Sequence, residues 1–198
     1  MLYDWDVMIE ITSIYAKDAE AAYREFFQKD FTSLRLGSKG TWFGAGAEFL
    51  NLKNPVRQAA FEHLLNGQSP NSSQTLRSES HNGHAEVAWR IDVSAPKSLS
   101  ILWALAPAGP RIQIEAAHND AVRSALKGFE LAMGSSVPPW EETPLPIFAS
   151  FRSRADKNQT PDLHATVLLP KRGHHAGWSA GEIHHAANHG EDFLARCV

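Results

Sequence analysis

Hydrophobic and polar positions alternate loosely over residues 7–14 (VMIEITSI), and the richness in β-branched side chains predicts a first strand there. Asp18 follows as a candidate N-cap for a helix AEAAYREFFQ that carries Tyr23, Phe26 and Phe27. The stretch SLRLGSKGTWFGAGAEFL, with four glycines around Trp42, reads as a loop. A second helix is signalled by Asn54 as N-cap, Pro55 at the first helical position, apolar Val56, Ala60 and Leu64, and Gly67 beyond its end. Residues 68–84 are polar and Ser/Asn-rich, a surface segment.

The clearest period-two pattern lies in EVAWRIDV. Val87, Trp89, Ile91 and Val93 share one face; Ala88, Arg90 and Asp92 share the other. Ser94 is then read as the cap of a helix through SAPKSLSILWALA. After a turn at Ala108-Gly109-Pro110 comes the longest helical pattern, RIQIEAAHNDAVRSALKGFELAMG, closed by Gly134. A Pro-rich connector, SSVPPWEETPLP, leads to two further strands, IFASF and LHATVLL. A last helix is signalled by the capping box from Ser179 to Glu182. Strands and helices do not alternate regularly, and no internal repeat is present. The expected fold is α+β, a central antiparallel sheet with helices packed mainly on one face, over a single domain spanning 1–198.

Composition narrows the class of protein. The 198 residues are 43 % hydrophobic and 21 % charged, which supports a packed core and excludes a disordered or collagen-like chain. No apolar run reaches the roughly 18 residues of a membrane span. The acidic N-terminus MLYDWDVMIE lacks the pattern of a secretory signal, and the one cysteine, Cys197, has no intrachain partner; a cytoplasmic, reducing location is the expectation. Net charge is −3, the wrong sign for gripping nucleic acid by bulk electrostatics. Residues 150–175 nevertheless carry five bases against two acids, so a local basic patch is compatible with the chain.

Three segments then resemble the relaxase domain of conjugative plasmids, the MobF or TrwC relaxase family. The first is Trp42-Phe43-Gly44-Ala45-Gly46-Ala47 with the helix ending Phe61-Glu62-His63-Leu64-Leu65. The second, the most specific, runs Asp92-Val93-Ser94-Ala95-Pro96-Lys97-Ser98-Leu99-Ser100, with Ala117-His118-Asn119-Asp120-Ala121-Val122 downstream. The third is Phe148-Ala149-Ser150-Phe151-Arg152-Ser153-Arg154, then Pro161-Asp162-Leu163-His164-Ala165-Thr166-Val167.

The resemblance implies a two-layer α+β fold and a known chemistry. A tyrosine attacks a scissile phosphate of single-stranded DNA, forming a 5′-phosphotyrosyl link, while a divalent metal on three histidines stabilises charge on the phosphoryl oxygens. By the same resemblance Tyr23 stands where the nucleophile belongs, and Phe31, with no hydroxyl, where many members have a second tyrosine. His164 matches one metal position, but Thr166 and Ser150 stand where the other two histidines belong. Hydroxyls are poor ligands for Zn, Mn or Mg beside imidazole, and one histidine does not hold a catalytic ion. The family's aspartate falls at Arg90 by spacing, with Asp92 two residues on along the same strand face and Arg90 as its natural partner.

These departures lead to the expectation of a relaxase-like single-stranded DNA-binding protein defective in metal-dependent nicking, with no cofactor. The candidate catalytic residues are Tyr23 and Asp92. Lys97, Arg152, Arg154 and Lys157 are the candidate DNA contacts, with Trp42 or Trp89 as stacking platforms. Two alternatives stay open. One is an active relaxase working through Tyr23 with Mg, Mn or Zn; the other is a non-catalytic scaffold that binds a protein partner of a mobile-element system. The chain lacks a Gly-x4-Gly-Lys-Ser/Thr phosphate loop, so no helicase domain is expected. The late histidines His174, His175, His185 and His189 are either a further metal cluster or solvated polar residues, and Tyr23 is either a nucleophile or a packed aromatic.

Overall fold

A computed structural model describes residues 8–27, 40–70, 85–135, 145–156 and 158–170. Its centre is a five-stranded sheet in the order β1-β3-β5-β4-β2, antiparallel throughout. The strands are β1 (Met8–Tyr15), β2 (Thr41–Phe43), β3 (Glu86–Ser94), β4 (Phe148–Ala155) and β5 (Pro161–Pro170). The helices are α1 (Ala19–Phe27), α2 (Ala45–Phe49), α3 (Gln58–Leu65), α4 (Lys97–Leu105) and the 28-residue α5 (Ala108–Ser135).

The period-two pattern of β3 decides which side chains meet which helices. Trp89, Ile91 and Val93 face the same way as Ala165, Val167 and Leu169 of β5, and with Phe148 they pack under Val122, Leu126 and Phe129 of α5. On the other face Ala88, Leu168, Ala149 and Phe151 pack against Phe61, Leu64 and Leu65 of α3. There Phe26 of α1 stacks on Phe151 with ring centroids 4.5 Å apart, and Phe27 meets Phe151 edge-on at 5.6 Å. The α+β class and antiparallel sheet are those the sequence indicates. The helices, however, cover both faces, because β3, β4 and β5 each carry apolar side chains on both sides along part of their length.

Several boundaries differ from the sequence pattern, each for a local reason. Ser94 is the last residue of β3, opposite His164, and Pro96 rather than Ser94 precedes the first turn of α4. Asn54 caps no helix; its Oδ1 accepts the Trp42 backbone N–H at 2.7 Å, and the Asn54–Pro55 bond is cis. Val56 N–H then bonds to Gly40 O at 2.8 Å, tying this loop beside β2, so α3 starts at Gln58. A 3-10 turn at Ala16–Asp18 precedes α1. Gly109 and Pro110 lie in the first turn of α5, where a missing proline N–H costs nothing. In the glycine-rich stretch, Gly44 has φ 92°, and a Cβ there would lie 2.5 Å from Pro146 O, so no side chain fits where α2 begins. The expected helix after Ser179 and the late histidines lie outside the described residues.

Candidate active site

The SAPKSLS segment builds a clasp around the start of β5. Ala95 N–H bonds to Leu163 O at 2.8 Å, and Ser100, fully buried at the first turns of α4, accepts the Leu163 N–H on its Oγ at 3.0 Å. Lys97 Nζ donates to Thr160 Oγ1 at 3.0 Å and to Pro161 O at 2.8 Å. Thr160 Oγ1 in turn donates to Asp156 at 2.6 Å, and Asp156 also accepts the backbone N–H groups of Asn158 and Thr160. The Thr160 hydrogen bonds hold the Asp156 carboxyl below its ordinary range. Both strands of the β4–β5 hairpin are thereby fixed relative to β3.

Across β3 and β5 the register sets Asp92 opposite Thr166 and Ser94 opposite His164. Thr166 donates its hydroxyl to Asp92 Oδ1 in a short hydrogen bond, and Arg90 Nε lies 2.6 Å from Asp92 Oδ2. Arg90 also sits 5.8 Å from the centre of the Phe26 ring of α1. Asp92 is therefore spoken for on both oxygens. His164 Nδ1 is 2.9 Å from Asp162 Oδ2, two residues back on the same strand face.

On β4 the sequence groups Ser150 with His164 and Thr166; the structure separates them. Phe151 is the partner of Thr166 and Ser153 the partner of His164, so alternation turns Ser150 to the α5 face, opposite Val167. The hydroxyl that does stand across from His164 belongs to Ser153, and it donates to Ala155 O at 3.0 Å. The sequence missed Ser153 because family-type spacing aligns the strand from its start, whereas the hairpin register is set from its loop. Tyr23 lies in the middle of α1, the helix whose Phe26 and Phe27 dock on Phe151; its side chain is outside the described part of the structure.

The candidate DNA contacts are dispersed and largely engaged. Lys97 belongs to the hairpin clasp. Arg154 makes a paired contact with Glu115 of α5, Nε to Oε1 at 3.0 Å and Nη2 to Oε2 at 2.9 Å, and Trp103 Nε1 donates to the same carboxylate at 2.9 Å. Burial raises the Glu115 pKa, but the hydrogen bonds from Arg154 and Trp103 outweigh it and leave the carboxyl below its ordinary value. Arg152 lies on the α5 face and has partners of its own. Lys157 lies outside the described residues. Trp42 and Trp89, 6 % and 3 % exposed, are core residues rather than stacking platforms: Trp42 packs on Phe61, and Trp89 is in the cluster under α5. His118 of α5 is also structural in setting: its Nε2 is buried with no hydrogen-bond partner, beside a cavity of about 20 Å³ that His164, Glu115 and Arg152 also line.

A family model for the TrwC relaxase matches residues 13–186. The chain belongs to the TrwC relaxase family. Multifunctional conjugation protein TraI from Escherichia coli is 31 % identical over 167 residues, 81 % of this chain and 9 % of that protein. TraI from E. coli strain K12 is likewise 31 % identical, over 148 residues, 72 % of this chain and 8 % of that protein. The chain thus spans under a tenth of the length of these curated relatives. Among solved structures, the conjugative relaxase TrwC in complex with oriT DNA in a copper-bound form superposes with a TM-score of 0.69 at 24 % identity, covering 94 % of this chain and 67 % of that one. A metal-bound TrwC–oriT DNA structure gives 0.66 at 23 % identity, covering 96 % and 68 %. These likenesses establish the relaxase fold for the present sheet and helices.

The metal-bound relatives make donor chemistry the test of this chain's own site. Around β3 and β5 the described residues offer the His164 imidazole, hydrogen-bonded to Asp162, with His118 of α5 lining the same small cavity, a threonine hydroxyl that donates rather than offering itself, and a carboxylate held by Arg90. Among the described residues no three His, Cys, Asp or Glu side chains come together as a metal-binding group. This donor set does not suit a divalent ion, which takes about three imidazole, thiolate or carboxylate ligands. No helix of the described residues is long and apolar enough to cross a membrane.

Proposed function

We propose that this relaxase-family chain is a single-stranded DNA-binding module of conjugative or mobile-element DNA processing that has given up metal-dependent nicking. The observation that carries the reading is the closed Thr166–Asp92–Arg90 network, standing where the family resemblance places metal ligands and the activating carboxylate. Both oxygens of the Asp92 carboxylate are engaged, one by the Thr166 hydroxyl and one by the Arg90 guanidinium, so neither is left free to activate a phenol at Tyr23, whose ordinary pKa is about 10. Family membership and the DNA-bound relatives support a strand as the ligand.

Purified protein mixed with labelled single-stranded oligonucleotides in Mg or Mn tests both halves. The expected result is reversible binding whose affinity falls steeply with salt, with no covalent adduct on denaturing gels. An adduct that Tyr23→Phe abolishes would establish the active-relaxase alternative instead. A second reading, a protein-binding scaffold, is favoured by the exposed apolar side chains of Ile101, Leu102 and Leu105 on α4 and Ile112 on α5. Absence of any strand binding, together with a protein partner lost on Leu102→Glu, would decide for it.

A further inference from the structure

The face of the sheet opposite the Asp92 network carries its own polar cleft. It is a depression of about 250 Å³ between α5 and the β2–β4 edge, lined by Thr41, Asn119, Asp120, Arg123, Ser150 and Arg152. Register explains why it exists. Ser150 and Arg152 alternate to this side of β4, Thr41 pairs with Ser150 from β2, and Asn119 and Arg123 are four apart on α5, one above the other.

The chemistry of the lining is that of an oxyanion site. Ser150, itself 6 % exposed, contributes its hydroxyl to the cleft lining. A serine hydroxyl can donate one hydrogen bond to a phosphoryl oxygen. The Arg123 guanidinium sits 5.0 Å from the centre of the Phe43 ring, which holds this arginine at the cleft's edge. Arg152 adds a second guanidinium to the lining, with contacts of its own. Asp120, exposed at the rim, is the one carboxylate, so cations outnumber anions two to one. The volume is small for a drug-sized ligand and ample for a phosphate with part of a sugar.

We infer that this cleft binds a phosphoryl oxyanion, with the Arg123 guanidinium and the Asn119 amide as donors at its mouth and the Ser150 hydroxyl at its floor. A free nucleotide and a strand phosphate present the same group. Only the strand source rests on the single-stranded DNA reading above.

The test measures melting temperature and binding isotherms of the full chain with inorganic phosphate, thymidine monophosphate and a thymidine oligonucleotide, for the wild type and for Asn119→Ala, Arg123→Ala and Arg57→Ala. Arg57 is exposed and outside the cleft. Phosphate or the nucleotide is expected to raise the melting temperature, and each cleft variant to weaken binding about tenfold, the loss expected for one hydrogen bond to a charged group, with Arg57→Ala unchanged. Circular dichroism confirms that both surface variants fold. No stabilisation by phosphate or nucleotide, or binding insensitive to Asn119→Ala and Arg123→Ala, overturns the site; normal oligonucleotide binding in that case leaves the strand-binding reading standing. Phosphate binding lost in the cleft variants without any oligonucleotide binding keeps the site and removes the strand-binding reading.

Discussion

Thr166 donates its hydroxyl to Asp92 across the β3–β5 ladder, and Arg90 holds the other oxygen of the same carboxylate. Thr166→Val keeps the side-chain shape and removes that donor. The carboxylate is about a quarter exposed, so water recovers part of the loss. Urea denaturation is expected to show a loss of about 1–2 kcal/mol. With Asp92→Asn as the second arm of a double-mutant cycle, the two effects should fall short of adding; simple additivity would mean that the pair does not interact.

How much of this was legible in the chain depends on what each feature rests on. The alternation of residues 88–93 holds in the structure, with Trp89, Ile91 and Val93 under α5, because the polar Arg90 and Asp92 between them leave a period-two trace. Val87, expected on that face, instead packs with Ala88 on the α3 side, where a register shift between Ile14 and Tyr15 interrupts the β1–β3 pairing. The nearness of Asp92 and Thr166 is legible only through the family resemblance, since no local pattern in either strand pairs β3 with β5. The same resemblance misplaced Ser150: its face depends on how β4 pairs with β5, and pairing is set by the 156–160 turn rather than by any property of residue 150. The caps at Asn54 and Ser94 misled because a side chain suited to cap a helix also suits a loop bond or a strand end. The Lys97 and Arg154 partners come from segments 63 and 39 residues away in sequence, beyond the reach of local pattern.

Glu115 joins Arg154 and Trp103, and its carboxyl is held below the ordinary value. A depressed carboxyl pKa gives stability that is complete above the unfolded-state value and disappears as pH falls through the folded one. Glu115→Gln should therefore cost about 1 kcal/mol at pH 7, a figure kept small by the exposure of Arg154. The difference from wild type should shrink as pH falls below about 4.5, the ordinary carboxyl value. A gap constant down to pH 3 would show that charge plays no part.

His118 is pushed the other way. Burial lowers its pKa, and the nearby His164 and Arg152 add to that while Asp162 opposes it. The fold thus favours the neutral ring, and the unfolded chain binds the extra proton first. Stability should be complete above about pH 6.5, the ordinary histidine value, and decline as pH falls from there toward the folded pKa. His118→Gln should flatten that decline in thermal melts between pH 7 and pH 5; an unchanged slope would assign it to other groups.

Lys97 is a structural cation by its contacts with Thr160 and Pro161. Lys97→Ala is expected to speed amide hydrogen exchange across the β4–β5 turn while leaving the salt slope of oligonucleotide binding as it was. A slope reduced by about one unit would instead count Lys97 among the phosphate contacts.

The turn between Ala155 and Pro161 has a wider reach than its five residues suggest. Because side chains alternate along β4, lengthening or shortening this turn by a single position, with β5 held by its clasp on α4, would exchange the roles of Ser150 and Ser153 and of every neighbour in step with them. In this chain, which hydroxyl of β4 stands across from His164 is thus decided as much by the length of the turn as by the strand's own residues.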